Sequence, residues 1–295
     1  MKPIALRRWT GGLLLLASAG VSAAPTPLAD RLLAIDEDAR AVPLAERVQR
    51  LQAAYQADPL ASMLAESCQA VPAERVEDAF AATQLVNFYA PDAQRLDQMQ
   101  CLLPRLRGQR DAEKARADEL HRALIAQRRF AQANALRADA GLDAKVLPEI
   151  TGDMVAARQV LVLSDADHAV RRTLPQQGWQ GWQVVALVHP YCGFSQRALA
   201  AITTDPAFAG LRPHLQLVVP NDQSWPSQQM LDWNRAHPDL PMQPLQPGPA
   251  WTALRTGQTP TFHLLKDGEL TTTALGWEND GQALRALQAL MEAPR

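Results

Sequence analysis

The feature that most constrains this chain is a change of hydrophobic period near residue 150. From Pro27 to about Leu142, apolar residues recur every three or four positions and runs rich in valine and isoleucine are missing. Segments such as "PLAERVQRLQAAYQAD", "PAERVEDAFAATQLVNFYA" and "PDAQRLDQMQCLLPRLRG" each open with a proline suited to a first helical turn. After "GLDAKVLPEITGD" short valine- and leucine-rich runs take over: "RQVLVLS", "WQVVALV", "LQLVV" and "PTFHLL". Helically spaced or proline-rich stretches separate them. The chain therefore reads as α + α/β, an all-helical domain over residues 24–145 and an α/β domain over residues 155–295.

The N-terminus reads as an export signal, residues 1–23. It has a basic start (Lys2, Arg7, Arg8), an apolar run centred on Leu13 to Leu16, and Val21-Ser22-Ala23 before a proline-rich segment. The run is shorter than the roughly 20 residues a spanning helix needs. Cleavage after Ala23 would leave a periplasmic protein with no membrane span, in an oxidising compartment. A net charge of -2 and the lack of later basic clusters exclude a general attraction to nucleic acid or anionic lipid. Protein or small-molecule partners are expected on that ground; exported protein thiols or disulfides among them rest on the cysteine chemistry, and the helical domain is a candidate second surface for a protein partner.

Within the helical half, "ADELHRALIAQRRFAQANALRADAG" resembles the helix-turn-helix unit of tetratricopeptide repeats, with Ala123 and Leu124 before the turn and Phe130, Ala133 and Ala135 after it. No clean 34-residue period extends over the half, so a helical bundle is the plainer reading. Cys68 and Cys101 both fall here. If Cys68 ends one helix and Cys101 lies late in the next helix but one, those helices run parallel and a structural disulfide can form. Its loop closure would contribute on the order of 3 to 4 kcal/mol. Two buried thiols, or a redox pair that communicates with Cys192, are the rival readings.

The third cysteine carries the chemistry. In "WQVVALVHPYCGFSQRALAAI" a buried strand ends near Val188, and Cys192 stands at a helix start. Free backbone N–H groups and the helix dipole stabilise a thiolate there. Ser195 occupies the place where a redox pair would want its second sulfur.

Strand, Cys-x-x-Ser at a helix start and, much later, "QTPTFHLLKDGELTTTALGW" together resemble the thioredoxin superfamily. The resemblance covers about residues 155–295 and implies a mixed central sheet. It matches Thr259-Pro260 to the turn with a cis proline that faces the active cysteine, Asp267-Gly268 to the following hairpin, and Leu275-Gly276 to the segment before the last helix. It also implies that Thr259 and Pro260 hold an extended substrate, with Tyr191 and Phe194 as its apolar rim. The interval from Cys192 to Pro260 is 68 residues (260 minus 192). It holds "WPSQQMLDWNRAHPD" and "GPAWTALRTG", read as helical, which looks more like exported members of the Dsb type than the minimal fold.

Two departures limit the chemistry. Ser195 cannot resolve a mixed disulfide from within, although its hydroxyl can donate a hydrogen bond to the thiolate. Ala186 replaces the buried Asp found six residues before the active cysteine of thioredoxin. "CGFS" is also the signature of monothiol glutaredoxins. However, residues 178–191 contain no lysine for a glutathione carboxylate, and the turn reads "GQTPTF". No cofactor is therefore assigned. His121, His168, His214, His237 and His263 are scattered without metal spacing, so no metal is assigned either. His189 is a loop histidine or a thiolate stabiliser.

The functional expectation is thiol-disulfide exchange or protein-thiol binding through Cys192. If the chain is an enzyme, it is a monothiol disulfide oxidoreductase. The alternative is a non-catalytic interaction or scaffold protein on a degenerate thioredoxin fold, for example part of a secretion or conjugation assembly.

Overall fold

The structure is a computed structural model that describes residues 26–106, 110–174, 181–254, 257–278 and 281–292. The expected export signal lies outside these residues. No helix among them is long and apolar enough to cross a membrane.

The helical half comprises α1 (Leu28–Asp38), α2 (Leu44–Gln56), α3 (Pro59–Glu66), α4 (Val76–Tyr89), α5 (Ala93–Leu102), α6 (Arg110–Ala126) and α7 (Phe130–Asp139). Their starts follow from local chemistry. The Asp58 carboxylate accepts from Leu60 N–H at 2.8 Å with Pro59 in the first turn, and Asp92 accepts from Arg95 N–H at 3.0 Å. Pro43 and Pro72 sit one residue ahead of their helical segments rather than inside the first turn. α1 lacks a side-chain cap of its own, and Asp78 of α4 supplies one. Its two oxygens accept from Leu28 and Ala29 N–H at 3.1 and 2.8 Å.

α4 is the centre of this half and touches α1, α2, α5 and α6. Val76, Ala79, Phe80, Ala82, Thr83, Val86 and Asn87 are all buried, so most of its circumference faces other helices. The contact between α1 and α4 closes a bundle, where a repeat stack would join each pair mainly to the next. α6 and α7 do form the expected hairpin. Ala123, Leu124, Phe130 and Ala133 are buried in it, and Ala135 is exposed.

Cys68 and Cys101 are joined in a disulfide, with Cα atoms 6.1 Å apart. Cys68 opens a short 3-10 turn just past α3, and Cys101 lies in the last turn of α5. The Arg105 guanidinium fastens the same corner by donating to the carbonyls of Cys68 and Val71.

The second half contains β1 (Glu149–Thr151), β2 (Gln159–Leu163), β3 (His168–Thr173), β4 (Trp182–Leu187), α8 (Gly193–Thr204), β5 (Leu215–Val219), α9 (Ser227–Ala236), β6 (Met242–Gln246), β7 (Thr261–Lys266), β8 (Glu269–Leu275) and α10 (Gln282–Glu292). The strands form one mixed sheet in the order β1-β3-β2-β6-β5-β4-β7-β8. β4, β5 and β6 are parallel, with Ala186 opposite Leu217 and Leu217 opposite Met242; β7 runs antiparallel to β4, with Phe262 opposite Ala186. The β4-α8-β5 crossover and the β7-β8 hairpin followed by α10 form the thioredoxin-like core. The helical part and the α/β part agree with the fold class read from the sequence, but β1 pairs with β3 and so carries the sheet ahead of the expected start at residue 155.

β4 reads as a continuous apolar run because both its faces are covered. Val184, Ala186 and Val188 pack with Ala198 and Leu199 of α8, Met230 of α9 and Leu284 of α10. Val185 and Leu187 pack on the other side with Trp251 and Leu254. At the β7-β8 turn Asp267 and Gly268 both have positive φ, 52° and 86°, as a two-residue hairpin of this type requires.

Two readings of the Cys192 to Pro260 interval need amendment. Among its described residues "GPAWTALRTG" holds a 3-10 stretch, Pro249–Leu254, and "MQPLQ" is β6, a strand with Pro244 inside it. A proline argues against an interior strand because it cannot donate to the ladder. Apolar burial on the flank of β5 overrides that local signal here.

Candidate functional site

β4 delivers the chain into the loop His189-Pro190-Tyr191, and Cys192 follows as the N-cap residue of α8. Its backbone N–H donates to His189 O at 2.9 Å, and its own carbonyl accepts from Gln196 N–H. The sulfur therefore sits over the first turn of α8, where free N–H groups converge. Cys192 is the free cysteine and is partly exposed.

The Thr259–Pro260 peptide is cis. This turn is buttressed from both sides: Thr261 Oγ1 donates to Gln258 O at 2.8 Å, and Gly276 N–H donates to Pro260 O at 2.8 Å. It brings Thr259 against the thiol, whose Sγ donates to Thr259 O at 3.2 Å. Partial burial pushes the Cys192 thiol up. Hydrogen bonding from the Thr259 side chain, from Ser195 through backbone and hydroxyl, and from Phe194 N–H outweighs it and holds the thiol below its ordinary value. Donors aimed at a sulfur stabilise its anion.

Ser195 is fully buried, and its Oγ accepts from His189 N–H at 3.2 Å. It braces the loop while keeping its own hydroxyl proton available to the thiolate. Ala186 lies in the apolar floor under α8. Tyr191 and Phe194 are exposed on either side of Cys192, at 60% and 51%, instead of packing on the proline turn. Tyr191 Oη donates to Gln229 Oε1 of α9 at 2.9 Å, and the Arg197 guanidinium lies 4.5 Å above the Phe194 ring. The structure thus gathers Cys192, Ser195, Thr259, Pro260, Tyr191 and Phe194 at one end of the sheet. Cys68 and Cys101 are bonded elsewhere, in the helical domain.

His189 Nδ1 accepts from Tyr191 N–H at 3.2 Å, and Nε2 lies 3.0 Å from Asp222 Oδ2. Asp222, Ser224 and Gln229 escaped the sequence reading. A signal did exist: β4 and β5 are parallel neighbours, so the loop after β5 must emerge beside the loop that carries Cys192. Strand order was needed to use it.

A cleft of about 860 Å³ lies apart from the thiol, between the start of α7 and strands β1 and β3, lined by Phe130, Leu147, Ile150 and Arg171 among others. It holds no cysteine. Among the described residues no group of three or more His, Cys, Asp or Glu could hold a metal ion. The arrangement supplies one partly exposed thiol, hydrogen bonds that hold it below its ordinary value, and two exposed aromatic rings beside it.

Comparison with known proteins finds no matching family model and no matching curated protein. Among solved structures, the chain is similar to a thioredoxin-like protein from Bacteroides caccae at 14% identity, over 98% of this chain and 100% of that one, with a TM-score of 0.29. By its own strand order, the α/β domain has a thioredoxin-like fold.

Proposed function

We propose that this protein works in an exported, oxidising setting and reacts through Cys192 with cysteines of extended polypeptide partners. The Cys192 thiolate attacks one sulfur of a partner disulfide. A Cys192–partner disulfide forms, the partner's S–S bond breaks, and the second partner sulfur leaves as a thiolate. Ser195 offers no second sulfur, so an external thiol must complete the exchange and release Cys192.

The observation that carries this reading is the placement of one free, partly exposed thiol on a helix start and 3.2 Å from the Thr259 carbonyl, between two exposed aromatic rings. A buried structural cysteine would have none of these attributes. The exposed Tyr191 and Phe194 rings beside the thiol offer apolar contact to polypeptide side chains, which supports a polypeptide over a small thiol as substrate.

The test is expression of the full chain with its N-terminal segment, followed by quenching with an alkylating agent. Wild type is expected to carry reductant-sensitive complexes that Cys192→Ser lacks. Identical complexes and identical complementation by both would instead favour the scaffold reading, in which the fold binds partners and the sulfur is idle.

A further inference from the structure

The His189 ring is held on both nitrogens. Tyr191 N–H can only donate and the Asp222 carboxylate can only accept, so a neutral ring with its proton on Nε2 satisfies both contacts. The backbone of His189 in turn holds the thiol loop, since its N–H donates to Ser195 Oγ and its carbonyl accepts from Cys192 N–H. Asp222 uses its other oxygen on Ser224, accepting from the backbone N–H at 2.9 Å and from Oγ at 2.8 Å. Both oxygens are therefore committed, to different partners.

The loop that carries Asp222 is gripped from the far side by the helical domain. Arg128, in the turn between α6 and α7, is 4% exposed and has a φ of 56°. Its guanidinium donates to Leu245 O at 3.2 Å, Pro220 O at 3.1 Å and Ile125 O at 3.2 Å, and lies 5.0 Å above the Trp225 ring. Asn221 Nδ2 donates to Ala126 O at 3.2 Å, and Phe130 meets Trp225 edge to face at 4.7 Å. Burial lowers the Arg128 guanidinium to about 10, which leaves it charged at neutral pH. A buried cation with three carbonyl partners from both domains fixes their relative position.

We propose that Asp222 is a positioning residue for the Cys192 thiol, anchoring the His189 ring and so the loop that presents the sulfur, and that Arg128 of the helical domain holds the loop that carries Asp222. The helical domain then governs thiol reactivity without touching the sulfur. This rests on the reading of Cys192 as the reacting group, but its test requires only the thiol and no partner.

In Asp222→Asn the side chain keeps one acceptor atom and gains a donor, so it cannot accept from both Ser224 N–H and His189 Nε2–H through separate oxygens. The full exported chain, disulfide intact, is compared with this variant by the pH profile of Cys192 alkylation with iodoacetamide and by nitrogen NMR of the His189 ring. The folded variant is expected to keep the Nε2–H tautomer that Tyr191 N–H imposes on Nδ1 and to lose the Nε2–H bond to the carboxylate, read as a shift of the Nε2 resonance. Its alkylation rate at neutral pH should fall about threefold or more, with the profile displaced to higher pH. Arg128→Lys, which keeps the charge and loses the fork, should shift the profile the same way by less, and serves as the test if Asp222→Asn does not fold. An unchanged alkylation profile in the folded variant overturns the proposal. A wild-type Cys192 that alkylates normally yet never forms a mixed disulfide would sink the functional reading and leave this one standing.

Discussion

Cys192 Sγ lies 3.2 Å from the carbonyl oxygen of Thr259, a residue 67 positions later in the chain. Two loops from opposite ends of the domain's sequence thus make one site, and neither contains it alone. The thiol has a polar partner on the turn side and helix N–H groups on the other.

Thr259→Val tests the turn's electrostatic contribution. The hydroxyl is removed while the backbone carbonyl and nearly all the volume remain, so the side-chain contribution that lowers the Cys192 pKa is lost. With a net worth of about 1 kcal/mol, the alkylation rate of Cys192 at neutral pH should fall about fivefold. The unfolding midpoint should stay close to wild type, since Thr259 lies at the border of the core.

The Cys68–Cys101 bond spans 33 residues of sequence. Loop-closure entropy for that length assigns it about 3 to 4 kcal/mol. Cys68→Ala with Cys101→Ala should lower the unfolding free energy by that order in urea titration. Alkylation of Cys192 in the folded double variant should proceed at the wild-type rate, because the bond joins the turn after α3 to α5 and Arg128 stands in the α6–α7 turn.

His121 and His263 are both buried, and burial lowers the pKa of each from 6.5. Their unfolded forms take up protons that the folded forms refuse. The unfolded state binds more protons below pH 6.5, so stability should fall as pH drops from there until the lowered folded values are reached. Urea midpoints measured from pH 7.5 to 5 should show this decline, and His263→Gln should make it shallower.

Much of this architecture was legible because one-dimensional patterns recorded it. The four apolar runs became β2, β4, β5 and β7, since a strand covered on both faces must be apolar, and β2 keeps the pattern although its Val162 is exposed. β3 was not legible: "HAVRRT" carries two arginines because only Ala169 is fully buried on it. β6 was hidden by Pro244, and the 3-10 stretch around Trp251 resembled a helix because its apolar spacing is similar. At the site, the residues contributed by one contiguous segment, Tyr191 to Ser195, and by the proline turn could be named in advance. Asp222 and Arg128 could not. Their roles depend on β4, β5 and β6 running parallel and delivering three loops to one end, where the α6–α7 turn meets them.

The central claim is that a single sulfur, Cys192, exchanges with disulfides and stays in mixed form until an outside thiol releases it. Its most direct test is intact mass spectrometry of the full chain after incubation with a short peptide disulfide, two copies of the peptide joined through one cysteine each. The account expects one peptide added at Cys192, stable on removal of the probe, released by added thiol, and absent in Cys192→Ser. A folded wild-type protein whose Cys192 remains an unmodified thiol under those conditions would contradict it.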